Sequence, residues 1–198
     1  MTQTQNEAEF EFEWLLRQKY EFKILTLIAV LADNNLAYRG TLKDMCEFFG
    51  VKSGDSRNNS QIKAAIAKLE SDGLLKQIVD GRTFTLTLSK KGEQRKRVIR
   101  IQKEWVEIAK NYKSEENSIS WMNLLKVWLY LIDNKQEVIK TSEIAEELGL
   151  SKDSIKRAKK ALEQDMNAII SKKKAKIAEN GWYCCLGSSI TLNAWVDD

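Results

Sequence analysis

Apolar and polar positions along residues 20–92 follow two periods in succession. Phe22, Leu25, Ile28, Ala29 and Ala32 recur three or four apart, the spacing of one helix face. Thr41 then stands where a helix N-cap is wanted, Leu42, Met45 and Phe49 share one face, and Gly50 sits where a helix C-terminus takes a left-handed residue. A polar stretch leads to Ile62, Ala65, Ile66 and Leu69, a third amphipathic helix ending at Asp72 and Gly73. The period then drops to two. Residues 75–79 and 82–88 read as strands of a hairpin, with Asp80 and Gly81 at its turn.

The same succession returns in the second half. Trp121, Leu124, Leu125, Trp128, Leu129 and Ile132 mark a first helix, and TSEIAEELG (141–149) a second. Aligning Gly50 with Gly149 pairs Met45 with Ile144, Phe49 with Leu148 and Val51 with Leu150. The third helices pair Ile62 with Ile155, Ala65 with Ala158 and Leu69 with Leu162. Gly50 to Ile62 spans 12 positions where Gly149 to Ile155 spans 6, so the first copy carries six extra residues, within 52–59. A second hairpin is expected from 169–178, a turn at Glu179, Asn180 and Gly181, and a return through 182–186 and 190–195.

The run TSEIAEELGLSKDSIKRAKKAL (141–162) resembles the helix-turn-helix of bacterial winged-helix proteins, and the first copy resembles the same superfamily, with LTLSKKG (86–92) similar to the segment that follows the wing in many such regulators. The resemblance covers roughly 20–92 and 119–196. Tandem winged helices occur in plasmid replication initiators, phage replication proteins, conjugation-element DNA-binding proteins and a chromosome-segregation scaffold. The fold class it implies is mainly α with small β-hairpins (α+β): two tandem winged-helix domains joined by a long helix. An N-terminal arm and the first domain would occupy 1–92, a linker helix and loop 93–118, and the second domain 119–198. The helix itself is read over 92–113, with Val98, Ile101, Trp105, Ile108 and Tyr112 on one face.

The resemblance also implies which residues face duplex DNA, since a recognition helix presses its apolar face on the core and turns the other to the major groove. In the second copy these are Ser151, Lys152, Ser154, Lys156, Arg157 and Lys160, donors suited to phosphate oxygens and guanine. In the first they are Arg57, Asn58, Asn59, Gln61, Lys63, Ala64 and Lys68, where Asn and Gln suit adenine. Lys172, Lys173, Lys174 and Lys176 lie on the second wing and Arg82 near the tip of the first, positions that meet phosphates or the minor groove. A solvated helix face or lysine run is the competing reading of each residue taken alone. Lys90, Lys91, Arg95, Lys96, Arg97, Arg100 and Lys103 read equally as a backbone-tracking run or as the solvated side of a connecting helix.

Charge supports the duplication. Net charge is +4, but successive stretches 1–50, 51–100, 101–150 and 151–198 carry −3, +7, −3 and +3, an acidic front and basic back in each half. Zero prolines in 198 residues, where average use of about 5% would place roughly ten, favour continuous helices. The absence of histidine excludes Ser-His-Asp and Cys-His catalysis and His-containing zinc sites, and no Gly-rich phosphate loop occurs, so a non-enzymatic protein without cofactor or metal is expected. Cys46, Cys184 and Cys185 form no CxxC pair and read as reduced core residues of a cytoplasmic protein. No signal-peptide pattern opens the chain and no apolar run approaches 18 residues, so no membrane partner is expected.

The N-terminal stretch is a further surface. Glu7, Glu9, Glu11 and Glu13 interleave with Phe10, Phe12 and Trp14, a pattern that reads either as an arm for homodimerisation or a partner protein, or as a segment packed on its own first domain.

Overall fold

In the computed structural model, residues 6–33, 35–89, 97–113, 118–135, 138–177 and 183–192 are described, with backbone alone for 170–177, 183–190 and 192. The fold is mixed helix and antiparallel strand, and chain contacts divide it into two units, Met1–Lys110 and Asn111–Asp198. Among the described residues no helix is long and apolar enough to cross a membrane.

The first unit runs β1 (Glu7–Glu11), α1 (Phe12–Leu15), α2 (Lys19–Leu31), β2 (Ala37–Thr41), α3 (Leu42–Phe49), α4 (Ser56–Ser71), β3 (Leu75–Asp80), β4 (Thr83–Leu88), β5 (Val98–Gln102) and α5 (Lys103–Asn111). Its centre is α2, where Phe22, Ile24, Leu25, Leu27 and Ile28 are fully buried; a helix apolar on every side must be covered on every side. The helix pair α3–α4 and a three-stranded sheet, ordered β2-β4-β3, form part of that cover. Strand β4 alternates Phe84 and Leu86 inward with half-buried threonines, as period two requires. Gly81, at φ +60°, opens the two-residue turn between β3 and β4.

The remaining cover corrects the sequence reading. The stretch 92–113 is not one helix: of its described part, 98–102 is β5, antiparallel to β1, and only 103–111 is helical. Ile99 and Ile101 point inward and Arg100 outward, a two-residue period hidden inside an apparent helical one. Arg100 Nε donates to Glu9 Oε1 at 3.0 Å across the ladder, pairing the acidic and basic outer faces. Ala8, Phe10, Phe12 and Trp14 are buried, with Phe10 and Trp14 edge to face at 6.0 Å and the Arg97 guanidinium 3.9 Å over the Phe12 ring. Of the two readings of the N-terminal stretch, the packed one is therefore the structure's, and it leaves no row of exposed aromatics for a partner.

The second unit runs α6 (Trp121–Asp133), β6 (Val138–Ile139), α7 (Thr141–Leu148), α8 (Lys152–Lys160), whose continuation Ala161–Asp165 widens to a π-turn, then β7 (Ile169–Ile177) and β8 (Tyr183–Leu192). Helix α6 also buries residues all round, including Leu124, Leu125, Val127, Trp128, Leu129 and Leu131. Its sheet is ordered β6-β8-β7, so both units share the succession helix, strand, helix, helix, strand, strand and the same strand order. The short strands β2 and β6 were not legible as strands; each lies between two helices and pairs with the last strand of its sheet. The expected turn at 179–181 lies outside the described residues.

Phe10→Ala should cost about 3–5 kcal/mol in urea unfolding of the full chain, because it empties a filled core position. A loss under ~1 kcal/mol would show that β1 is not part of the first unit's core.

Candidate nucleic-acid interface

Each unit presents a helix pair joined by a sharp turn. In the second, Gly149 is left-handed at φ +62°, Leu150 N–H donates to the Ala145 carbonyl at 3.0 Å, and two residues past the glycine Ser151 caps α8 by accepting from Ser154 N–H at 3.1 Å. Ile155, Ala158 and Leu162 hold α8 on the core. That burial orients the opposite face, where Lys152, Lys156, Arg157 and Lys160 are exposed. The only acid of α8 is Asp153, whose 3.7 Å approach to Lys156 is an exposed pair worth little. Arg157 Nη1 donates to the Ser118 carbonyl at 3.1 Å, which holds its guanidinium beside the start of α6. Ser154 is half-buried and its hydroxyl lies 2.9 Å from that of Ser151. Of these two serines, expected to face DNA, Ser151 is exposed and uses its hydroxyl to cap the helix, while the Ser154 hydroxyl is turned to that of Ser151.

On β7, Ile169 is buried and the alternation places Lys172, Lys174 and Lys176 at positions of the other face, with Lys173 on the face of Ile169. Pairing passes from Lys174 opposite Gly187 to Ala175 opposite Cys185, so β8 carries one extra residue, Leu186, at that point.

In the first unit the turn is longer. Gly50 is left-handed at φ +65°, Gly54 at φ +83°, and Asp55 caps α4 by accepting from the N–H groups of Arg57 and Asn58 at 2.8 and 3.4 Å. The cap lies five residues past its glycine, against two in the second unit, and the helix runs seven residues from cap to Ile62, against four from Ser151 to Ile155. Three inserted residues therefore lengthen the turn and three add most of a helical turn to the start of α4.

That added turn overturns two expectations. Asn58 Oδ1 accepts from Tyr20 Oη at 3.0 Å and its Nδ2 donates to the Lys52 carbonyl at 3.4 Å, while Asn59 Oδ1 accepts from Cys46 Sγ at 3.6 Å. Both asparagines are half-buried and tie α4 to α2, α3 and the longer turn rather than facing outward. Exposed on α4 are Ser56, Arg57, Ser60, Gln61, Lys63, Ala64, Ala67, Lys68, Glu70 and Ser71, of which Lys68 is paired to Asp72 at 2.8 Å. Arg82 is exposed at the hairpin turn, and Ile78 and Val79 of β3 are exposed nearby, at 68% and 54%. Of the basic run on either side of β5, Lys90, Lys91, Arg95 and Lys96 lie outside the described residues.

One supporting residue was missed. Lys23 lies in mid-α2, 4% exposed, and its Nζ donates to the Phe49 carbonyl at 2.9 Å, so its charge meets the negative end of α3. The rings of Tyr20 and Phe49 flank it at 5.6 Å. Burial, with a contribution from Lys19, lowers its pKa to about 8. A lysine inside an otherwise apolar helical run was the available signal. Burial likewise raises the pKa of the Cys46 thiol, the inert state expected of a core cysteine.

Comparison with protein families, curated proteins and solved structures finds no match to this chain. The interface is therefore argued from its geometry and charge.

Because folding lowers the Lys23 pKa to about 8 from 10.5, the unfolded chain binds more protons between those pH values, and this group adds stability as pH rises through that window. Unfolding free energies of the wild type and Lys23→Met, measured from pH 7 to 10.5, should diverge in slope there, the wild type gaining on the variant. Parallel curves would show that Lys23 is not titrating abnormally.

Proposed function

We propose that the chain is a non-enzymatic duplex-DNA-binding protein, built from two tandem winged helix-turn-helix units and acting as a transcriptional regulator or replication initiator of a bacterial mobile element. The observation that carries this reading is the exposed face of α8: Lys152, Lys156, Arg157 and Lys160 on the side opposite a core-bound Ile155 and Ala158, with a single acid on the helix. A helix so held enters a major groove about 12 Å wide with its cations toward phosphates and guanine edges. The common element succession, the common strand order and the left-handed Gly50 and Gly149 support treating the two units as copies of one such module. Lys172 to Lys174 and Lys176 on β7 supply the wing contribution. A regulator of this kind would protect a symmetric promoter site and an initiator a series of direct repeats, which footprinting separates.

A second reading, a scaffold in which tandem winged helices contact protein, draws on Ile78 and Val79, exposed on the hairpin where the second unit carries lysines.

Anisotropy of a labelled random-sequence duplex should show affinity falling by orders of magnitude, roughly 10³-fold or more, between about 50 and 200 mM salt. Replacing Lys152, Lys156 and Lys160 with Gln should flatten the log–log slope by ~3, at about 0.9 per lost phosphate contact, with the melting temperature unchanged. Absence of binding even at low salt would remove the DNA reading and leave the scaffold.

A further inference from the structure

Residues 17–21 lie beside α4, fixed at one end where Arg17 bonds Asp72 and at the other where Tyr20 bonds Asn58. Between these ties runs an open groove of about 750 Å³, whose walls are Gln18 and Lys19 on one side and Arg57, Gln61, Ala64 and Lys68 on the other. From Arg57 to Lys68 the helix wall is about 16 Å long at 1.5 Å per residue. The small side chain of Ala64 keeps the wall low in mid-groove.

The acids around this groove are already committed. Asp55 accepts from the first amides of α4, Glu21 lies 3.6 Å from Arg17, and Asp72 is bonded by Arg17 and Lys68. Lys19 and Arg57 are exposed, and among the described residues neither forms an ion pair; the Lys19 ammonium lies 5.5 Å from the centroid of the Tyr20 ring. The groove lining thus carries three cations, Lys19, Arg57 and Lys68, against the carboxylates of Glu21 and Asp55, a net charge of +1, with Lys19 and Arg57 outside ion pairs and amide donors at Gln18 and Gln61.

We propose that this groove seats a phosphodiester stretch of one strand of bound DNA, with Lys19 and Arg57 as its anion contacts. This rests on the duplex-binding reading above and extends it to a wall, Gln18 and Lys19, that lies outside the helix-turn-helix. The reason for a strand rather than a small anion is form. A strand of B-DNA carries one charge per ~3.4 Å of axis, so a 16 Å wall runs beside several phosphates, and the groove flanks the same helix whose exposed face meets the bases. Its contribution is positional and independent of base sequence, whereas Gln61, on the same wall, is placed to read a base edge.

The test is duplex binding by the full chain across a salt series, for wild type, Lys19→Gln, Arg57→Gln and the double variant. Each single change should reduce the slope of log K against log salt by ~1 and the double change by ~2, equally for unrelated duplex sequences, with far-UV circular dichroism and melting unchanged. If the wild type binds duplex and the double variant keeps its slope, the groove is not a strand seat although the DNA reading stands. If the wild type does not bind duplex at low salt, both fail. In a second arm, inorganic phosphate and a mononucleotide are titrated into the wild type at constant ionic strength. Neither should bind below millimolar concentration; micromolar binding abolished by the double variant would make the groove a small-anion site and overturn the strand assignment.

Discussion

Everything in the two units is arranged around helices that no single face of protein can bury. With Ile24, Leu27 and Leu25 at three azimuths of one helix, all at 0% exposure, the middle turns of α2 have no solvent side, and α6 repeats the condition with Leu124, Leu125 and Val127. A two-layer module of helix pair and sheet covers part of such a helix. In the first unit further cover comes from α1 and from β1, which pairs with β5 about 90 residues away in sequence. The pairing Glu9–Arg100 lies on the outside of that ladder and is too exposed to stabilise it by much; its effect is on register, while Phe10, Ile99 and Ile101 supply the burial.

The two helix pairs share a backbone plan but not a chemistry. On α8 the outward face is a set of lysines and one arginine, a strong local field with little shape. On α4 the outward face centres on Ser60, Ala64 and Ala67, small residues bordered by Arg57, Gln61 and Lys63. The longer turn before α4 accounts for the difference in support: its residues needed anchoring, and Asn58 and Asn59 provide it by turning inward to Tyr20, Lys52 and Cys46. Under the proposed function, the second unit contributes most of the salt-dependent attraction and the first unit a closer, more shape-dependent contact.

Much of this plan was readable from residue order. Thr41 and Gly50 bracket α3 as expected because a cap and a left-handed residue are local requirements: Thr41 Oγ1 accepts from Asp44 N–H, and the Asp44 carboxylate, its pKa lowered chiefly by bonding the Thr41 amide, closes the box. Ile62, Ala65, Ile66 and Leu69 are all buried, since helical spacing alone places them on one face. The strand β5 was misread because Val98, Ile101 and Trp105 also satisfy helical spacing, and a five-residue strand followed at once by a helix offers too short a run for its own period to dominate.

What the chain determined by itself, then, was the repeat, the three helices of each copy, the first hairpin and the excess of cations on the outward face of α8. These depend on spacing and on residues a few positions apart, where local sterics and hydrogen bonding decide the outcome. Only tertiary structure decided that 7–11 and 98–102 pair, that Asn58 and Asn59 face inward, that Lys23 spends its charge on the Phe49 carbonyl, and that Gln18 and Lys19 stand opposite Arg57 across a groove. Each of these brings together groups distant in sequence. Their juxtaposition follows from how apolar helices are covered, and burial is a property of the assembled chain rather than of any segment within it.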